Sequence, residues 1–105
     1  HMLEEALDVA DQVLNLCGHQ LGFPKDWRKL NMDFVGQGVF RSMGQVRFYL
    51  FTLKAAGFLQ LRLGNLLEGH AMLTKVGDLD AKDRLGAKAM VDLAEQRISD
   101  EKMAG

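Results

Sequence analysis

An all-α domain is the fold class this sequence predicts, and three observations predict it. A single proline stands among 105 residues, so almost no position forbids helix. Leu, Ala, Met, Gln and Glu, which lose little conformational freedom in helices, are plentiful. No stretch of four or more residues alternates apolar and polar as a half-buried strand would. The expected architecture is about five helices joined by short turns, with the last acting as a C-terminal capping helix.

The first helix is expected over about 3–16, where Leu3, Ala6, Leu7, Ala10, Val13 and Leu14 form one stripe and Cys17 continues it. Glu4, Glu5, Asp8 and Asp11 stand off that stripe, toward the positive end of the helix dipole. GHQLGFPKD (18–26) reads as a loop from its Gly and Pro content. A second helix begins near Asp26 and presents Trp27, Leu30, Phe34 and Val35. Gly36 and Gly38 leave its end open, and a bend between helices accounts for Gly36-Gln37-Gly38. Three further starts have side chains able to satisfy exposed backbone N–H groups. Ser42 with Gln45 has the form of a capping box; Asn65 with Glu68 and Asp80 with Asp83 are looser versions. They predict helices over about 43–63, 66–77 and 81–98, with Gly64 and Gly77 as C-terminal caps. The helix at 43–63 is apolar around nearly its whole circumference, which predicts cover on more than one side. The last turns Leu85, Met90, Leu93, Ala94 and Ile98 inward and Lys88, Asp92, Glu95 and Arg97 outward.

Composition excludes several function classes. A net charge of −1 argues against a nucleic-acid binder, which would show a basic face. The lone Cys17 excludes an internal disulfide. The most apolar run, 48–63, is interrupted by Lys54, Gln60 and Arg62 and is shorter than the ~20 residues of a membrane span. With no signal peptide visible, a soluble, cytoplasmic protein is expected. His1 and Met2 read as a tag remnant, leaving one helical domain over 3–105.

Within 50–83, Leu53 is a bulky residue early in a helix, Ala56-Gly57 a small pair, and Leu63-Gly64-Asn65 a turn. Gly69, Leu73 and Val76 follow in the next helix and Leu79-Asp80 leads out. This pattern resembles a single tetratricopeptide (TPR) repeat, a helix–turn–helix unit of roughly 34 residues. The resemblance implies antiparallel helix–turn–helix packing, with 84–98 as the capping helix. It departs from the family at Gln60, where an aromatic is usual, at Gly69, where alanine is usual, and at Ala81, where proline is usual. The first helix resembles the second helix of such a unit, with Glu5 and Ala6 standing as Glu68 and Gly69 do, but the offset is not two periods. Glycine at 57 and 69 would let two helix backbones approach closely, with Leu73 filling the space between them.

By the resemblance, Phe51, Lys54, Phe58, Leu61 and Arg62 line a partner-binding groove, and spacing independently puts the first four on one helical face. An apolar strip flanked by cations suits a protein or peptide partner that is amphipathic and acidic. Cover by the chain's own second helix and self-association remain open beside it. The expected function is therefore a protein–protein interaction module, an adaptor or scaffold that is not an enzyme and has no cofactor. The alternatives are a homodimeric assembly unit or a secretion-type chaperone holding a client. Cys17 with His19 or His70 lacks the ligand count of a zinc site and any local signature of a nucleophilic pair. Lys25, Arg28 and Lys29 form a small basic cluster beside Trp27, read as a solvated helix start. Met32, Met43 and Met72 could make an interface adaptable.

Overall fold

The computed structural model describes residues 1–104. In chain order they form α1 (Met2–Leu21), a 3-10 turn (Trp27–Lys29), α2 (Met32–Arg62), α3 (Leu66–Leu79) and α4 (Ala87–Ala104). The described residues are thus all-α, with four helices packed together and α2 broken at Ser42, whose φ and ψ are not helical.

The first difference lies at the end of α1. Gly18 is not a loop residue but sits buried inside the helix, where a Cβ would come within 3.1 Å of the Tyr49 ring. Its glycine serves close packing instead of a turn. The helix stops four residues later at Gly22, whose φ of 75° is left-handed. The Gly22 and Phe23 N–H groups donate back to the His19 and Gly18 carbonyls, a Schellman ending that satisfies them.

Asp26 does start a turn, accepting a hydrogen bond from the Arg28 N–H at 3.0 Å, but only a 3-10 turn follows. The α-helix begins afresh at Met32, capped by the Asn31 side chain on the Phe34 N–H. The bend expected at Gly36–Gly38 comes instead at Ser42, which has φ −166° and ψ 105° within α2. Ser42 Oγ accepts from the Gln45 N–H at 3.1 Å, so half of the capping box forms. The other half does not. Gln45 Nε2 donates to Gln20 Oε1, and Arg41 Nη1 donates to the Gln20 carbonyl. The bend is thereby tied to the end of α1.

Gly64, with φ 87°, caps α2 as its position implied. Asn65 does not cap α3; its Nδ2 donates to Gln60 Oε1 at 2.7 Å across the turn, while Glu68 pairs with Arg28. Gly77 lies inside α3, not at its end. Asp80 and Asp83 hold a loop together rather than start a helix at 81. Asp80 Oδ2 accepts from the Leu85 N–H and Asp83 Oδ1 from the Lys88 N–H. With Asp83 and Gly86 both at positive φ, the chain cannot enter α4 before Ala87.

The resemblance to a tetratricopeptide repeat is overturned by this arrangement. The four helices form one bundle in which α2 packs against both α1 and α3, and α4 packs mainly against α3. The segment 50–83 contains a helical hairpin, but no second hairpin stacks on it. The reason is α2 itself. Its two helical stretches meet at Ser42 without a loop, and the stretch after the bend packs both on α1, where the Tyr49 ring lies against Gly18, and on α3, where Gly57 meets Leu73. No separate pair of helices is left to make another unit. The hairpin is also packed in its own way: a Cβ at Gly69 would lie 2.8 Å from the Gly57 carbonyl oxygen, so alanine does not fit where the repeat would carry it.

Two cores result. The larger joins α1, α2 and α3 through residues such as Leu14, Leu30, Tyr49, Leu53 and Val76. Phe23 meets Tyr49 edge to face at 5.0 Å within it, and burial pushes the Tyr49 phenol up to about 12. The smaller joins the end of α2 to α3 and α4 through Leu61, Leu66, Leu73 and Ala94, with Met90, Val91 and Ile98 against it. Arg97, expected outward, donates to the Leu61 carbonyl at 3.1 Å, and Leu93, expected inward, is half exposed.

Candidate protein-binding face

Helical spacing sets the outward side of α2 after the bend. Arg47, Phe51, Lys54, Phe58 and Arg62 recur at intervals of three and four residues and so share one face. No carboxylate occurs anywhere from Phe34 to Leu67, which leaves the face purely cationic and apolar. Phe51 is 54% exposed, although Leu50, Thr52 and Leu53 beside it are buried. Phe51, Lys54, Ala55, Phe58 and Leu59 line a groove of about 300 Å³, closed on one side by Met90 from α4. The Arg62 guanidinium lies over the Phe58 ring, 5.9 Å from its centroid, holding a charge at the end of the groove.

Of the five residues expected to line a groove, Phe51, Lys54 and Phe58 do line this one and Arg62 borders it. Leu61 does not. It is 2% exposed and belongs to the core shared by α2, α3 and α4. Cover by the second predicted helix also fails, because Phe51 stays 54% exposed and no residue of that segment lines the groove. Sequence reasoning missed Met90, which it assigned to the core. A helix apolar at Met90, Val91, Leu93 and Ala94 has no single inward stripe to read. Arg47 was legible from its spacing to Phe51 and Lys54.

Other candidate groups are held apart. The Cys17 thiol donates to the Gln45 carbonyl at 3.5 Å, while His70 faces Glu95 at 3.6 Å from a different helix. No group of three His, Cys, Asp or Glu side chains able to hold a metal comes together among the described residues. Burial raises the pKa of the Cys17 thiol, keeping it protonated and poorly nucleophilic. Iodoacetamide at mildly alkaline pH should therefore alkylate Cys17 at least roughly tenfold more slowly than it alkylates glutathione. A rate equal to glutathione's would mean that α1 opens there. In the basic cluster, Arg28 is paired with Glu68 and Asp26 and stacks over Trp27 at 4.4 Å, so its charge is spent within the molecule. Met72 is core, whereas Met32 and Met43 are about half exposed. Phe40, at 95% exposure, is the most exposed aromatic among the described residues.

No helix of the described residues is long and apolar enough to cross a membrane. No protein-family model and no solved structure matches the chain. Among curated proteins, the chain is 40% identical over 93 residues to an uncharacterized 19.8 kDa protein in the nifW 5′ region of Azotobacter chroococcum mcd 1. The match takes in 89% of this chain and 52% of that protein, so the chain spans about half the length of its relative.

Proposed function

We propose that this domain is a protein–protein interaction module that seats a partner helix or peptide in the groove between α2 and α4. The observation that carries the reading is the half-exposed Phe51 ring, set with Lys54 and Phe58 in a groove on a stretch, Phe34 to Leu67, that holds no carboxylate. A large aromatic left in water gains free energy when a partner covers it, and aromatic anchors commonly carry most of an interface's energy. Lys54 and Arg62 favour a partner with acidic residues beside its apolar ones. The domain binds and does not catalyse. The relative's place in the nifW 5′ region makes the nifW product the first partner to test.

Photo-crosslinking tests this directly. A photoreactive phenylalanine analogue at position 51 should give a discrete protein adduct in the cell of origin, and the same analogue at Leu67, exposed on α3, should not. Lys54→Glu should weaken the purified pair at least roughly thirtyfold, equivalent to about 2 kcal/mol. Phe51→Glu should do the same with the helical circular dichroism unchanged, because Phe51 is not part of either core. Adducts of equal yield from both positions would overturn the groove. An adduct of the chain with itself would instead favour the homodimeric assembly unit.

A further inference from the structure

A second cleft lies earlier along α2, sharing Arg47 with the face that carries Phe51, where the bend at Ser42 meets the loop that joins α3 to α4. Its volume is about 270 Å³. Val35, Val39, Met43 and Leu50 form one wall, and Leu79 and Leu85 form the other. The wall is not sealed: Val39 is 38% exposed and Met43 51%. We propose that this cleft is a docking site for an acidic amphipathic segment of a protein partner, separate from the groove at Phe51.

Charge decides the occupant. Arg47, Lys82 and Arg84 all border the cleft and are all exposed. None of the three is in an ion pair among the described residues. The two carboxylates of the loop are oriented differently. Asp80 accepts the Leu85 N–H and Asp83 accepts the Lys88 N–H, so each is committed to its own backbone. The α2 wall contributes no carboxylate at all. Asp80 also lines the cleft, so the three cations stand against one lining carboxylate, which is itself bonded to the loop backbone. An aliphatic slot bordered by three cations and one carboxylate is complementary to leucine-like side chains flanked by Asp or Glu. A single-stranded nucleic acid fits less well, because no aromatic ring lines the cleft for a base to stack on.

Two fluorescent amphipathic peptides test the site, both with leucine on the apolar face, one with glutamate and the other with lysine on the polar face. The glutamate peptide should bind and shift the backbone amide resonances of residues 43–50 and 79–85. Its affinity should fall with added salt, because the rim charges are solvent-exposed. The lysine peptide should not bind. Lys82→Glu combined with Arg84→Glu should weaken binding at least roughly tenfold, and both residues are exposed, so the variant should keep its circular dichroism. In Phe51→Glu the shifts of residues 43–50 and 79–85 should persist. Shifts confined to 51–62 and 90 would overturn the cleft while leaving the groove reading intact. Equal binding by both peptides, or no effect of the double variant, would also overturn it. So would the same amides shifting with protein concentration alone, which would assign the cleft to a second copy, or with an oligonucleotide that displaces the peptide.

Discussion

Alanine at position 69 should destabilise the domain by about 2 kcal/mol or more, lowering the melting temperature by roughly 10 °C. The added methyl would meet the Gly57 carbonyl oxygen at 2.8 Å and Leu61 Cδ2 at 2.8 Å. The oxygen belongs to the backbone of α2 and cannot rotate away, so α2 and α3 must separate. Separation loosens Leu73, whose side chain already fills the space above Gly57: a Cβ there would be 2.9 Å from Leu73 Cγ. Alanine's better helix propensity offsets under half of this, about 1 kcal/mol. Gly36→Ala is the matched control. Nothing lies within 4 Å of its Cβ, and it is an exposed position inside α2. There the propensity gain stands alone, and stability should rise by up to about 1 kcal/mol. Thermal unfolding of the two variants should move in opposite directions. If both rise, the helices are farther apart than these distances state.

Leu53→Ala should cost more, about 2–5 kcal/mol. Leu53 is fully buried in the core shared by α1, α2 and α3, and two of its neighbours in that core, Ala56 and Val76, are themselves fully buried. Removing its branched end leaves a cavity that packed helices on several sides cannot all collapse to fill. Leu67→Ala provides the comparison, since Leu67 is 75% exposed and should shift stability by no more than about 0.5 kcal/mol. Urea unfolding monitored by circular dichroism measures both. A Leu53→Ala loss as small as that of Leu67 would show that the larger core is loosely packed around α2.

Local chemistry was legible where it depends on one turn of chain. Ser42 caps the residues after it, Gly64 ends α2, and the first apolar stripe buries Ala10, Leu14 and Cys17. The close approach of two helices at Gly57 and Gly69 was also readable, because only a missing side chain makes it possible. What was not legible is where a short polar side chain finds its partner. Asn65 and Asp83 have the composition of helix caps, yet Asn65 bonds to Gln60 and Asp83 helps to delay α4 by six residues. The same ambiguity applied to Gly18 and Gly38. Each reads as a chain break, and each is instead a place inside a helix where Tyr49 or Phe23 comes close.

The candidate face divides in the same way. Spacing alone put Phe51, Lys54 and Phe58 together, since residues three and four apart meet on one helical face. Spacing also put Leu61 with them, and there it failed. A residue at the edge of a face goes to core or to solvent according to which neighbour arrives, and at Leu61 the neighbours are α3 and α4.

By itself, then, the amino-acid sequence determined an all-α chain, the positions of its strongest caps, the two glycines that let α2 and α3 touch, and a cationic stretch from Phe34 to Leu67 without a carboxylate. These follow from backbone preferences and from periodicities a few residues long. Only the tertiary structure decided that the helical stretches on either side of Ser42 meet without a loop, that the hairpin at 50–83 belongs to a four-helix bundle and not to a repeat, and that Met90 closes the groove. Those outcomes depend on contacts between residues far apart in the chain, such as Gln45 with Gln20 and Arg97 with the Leu61 carbonyl. Helical periodicity carries no record of such partners, because it describes which side of a helix is apolar and not which element comes to cover it.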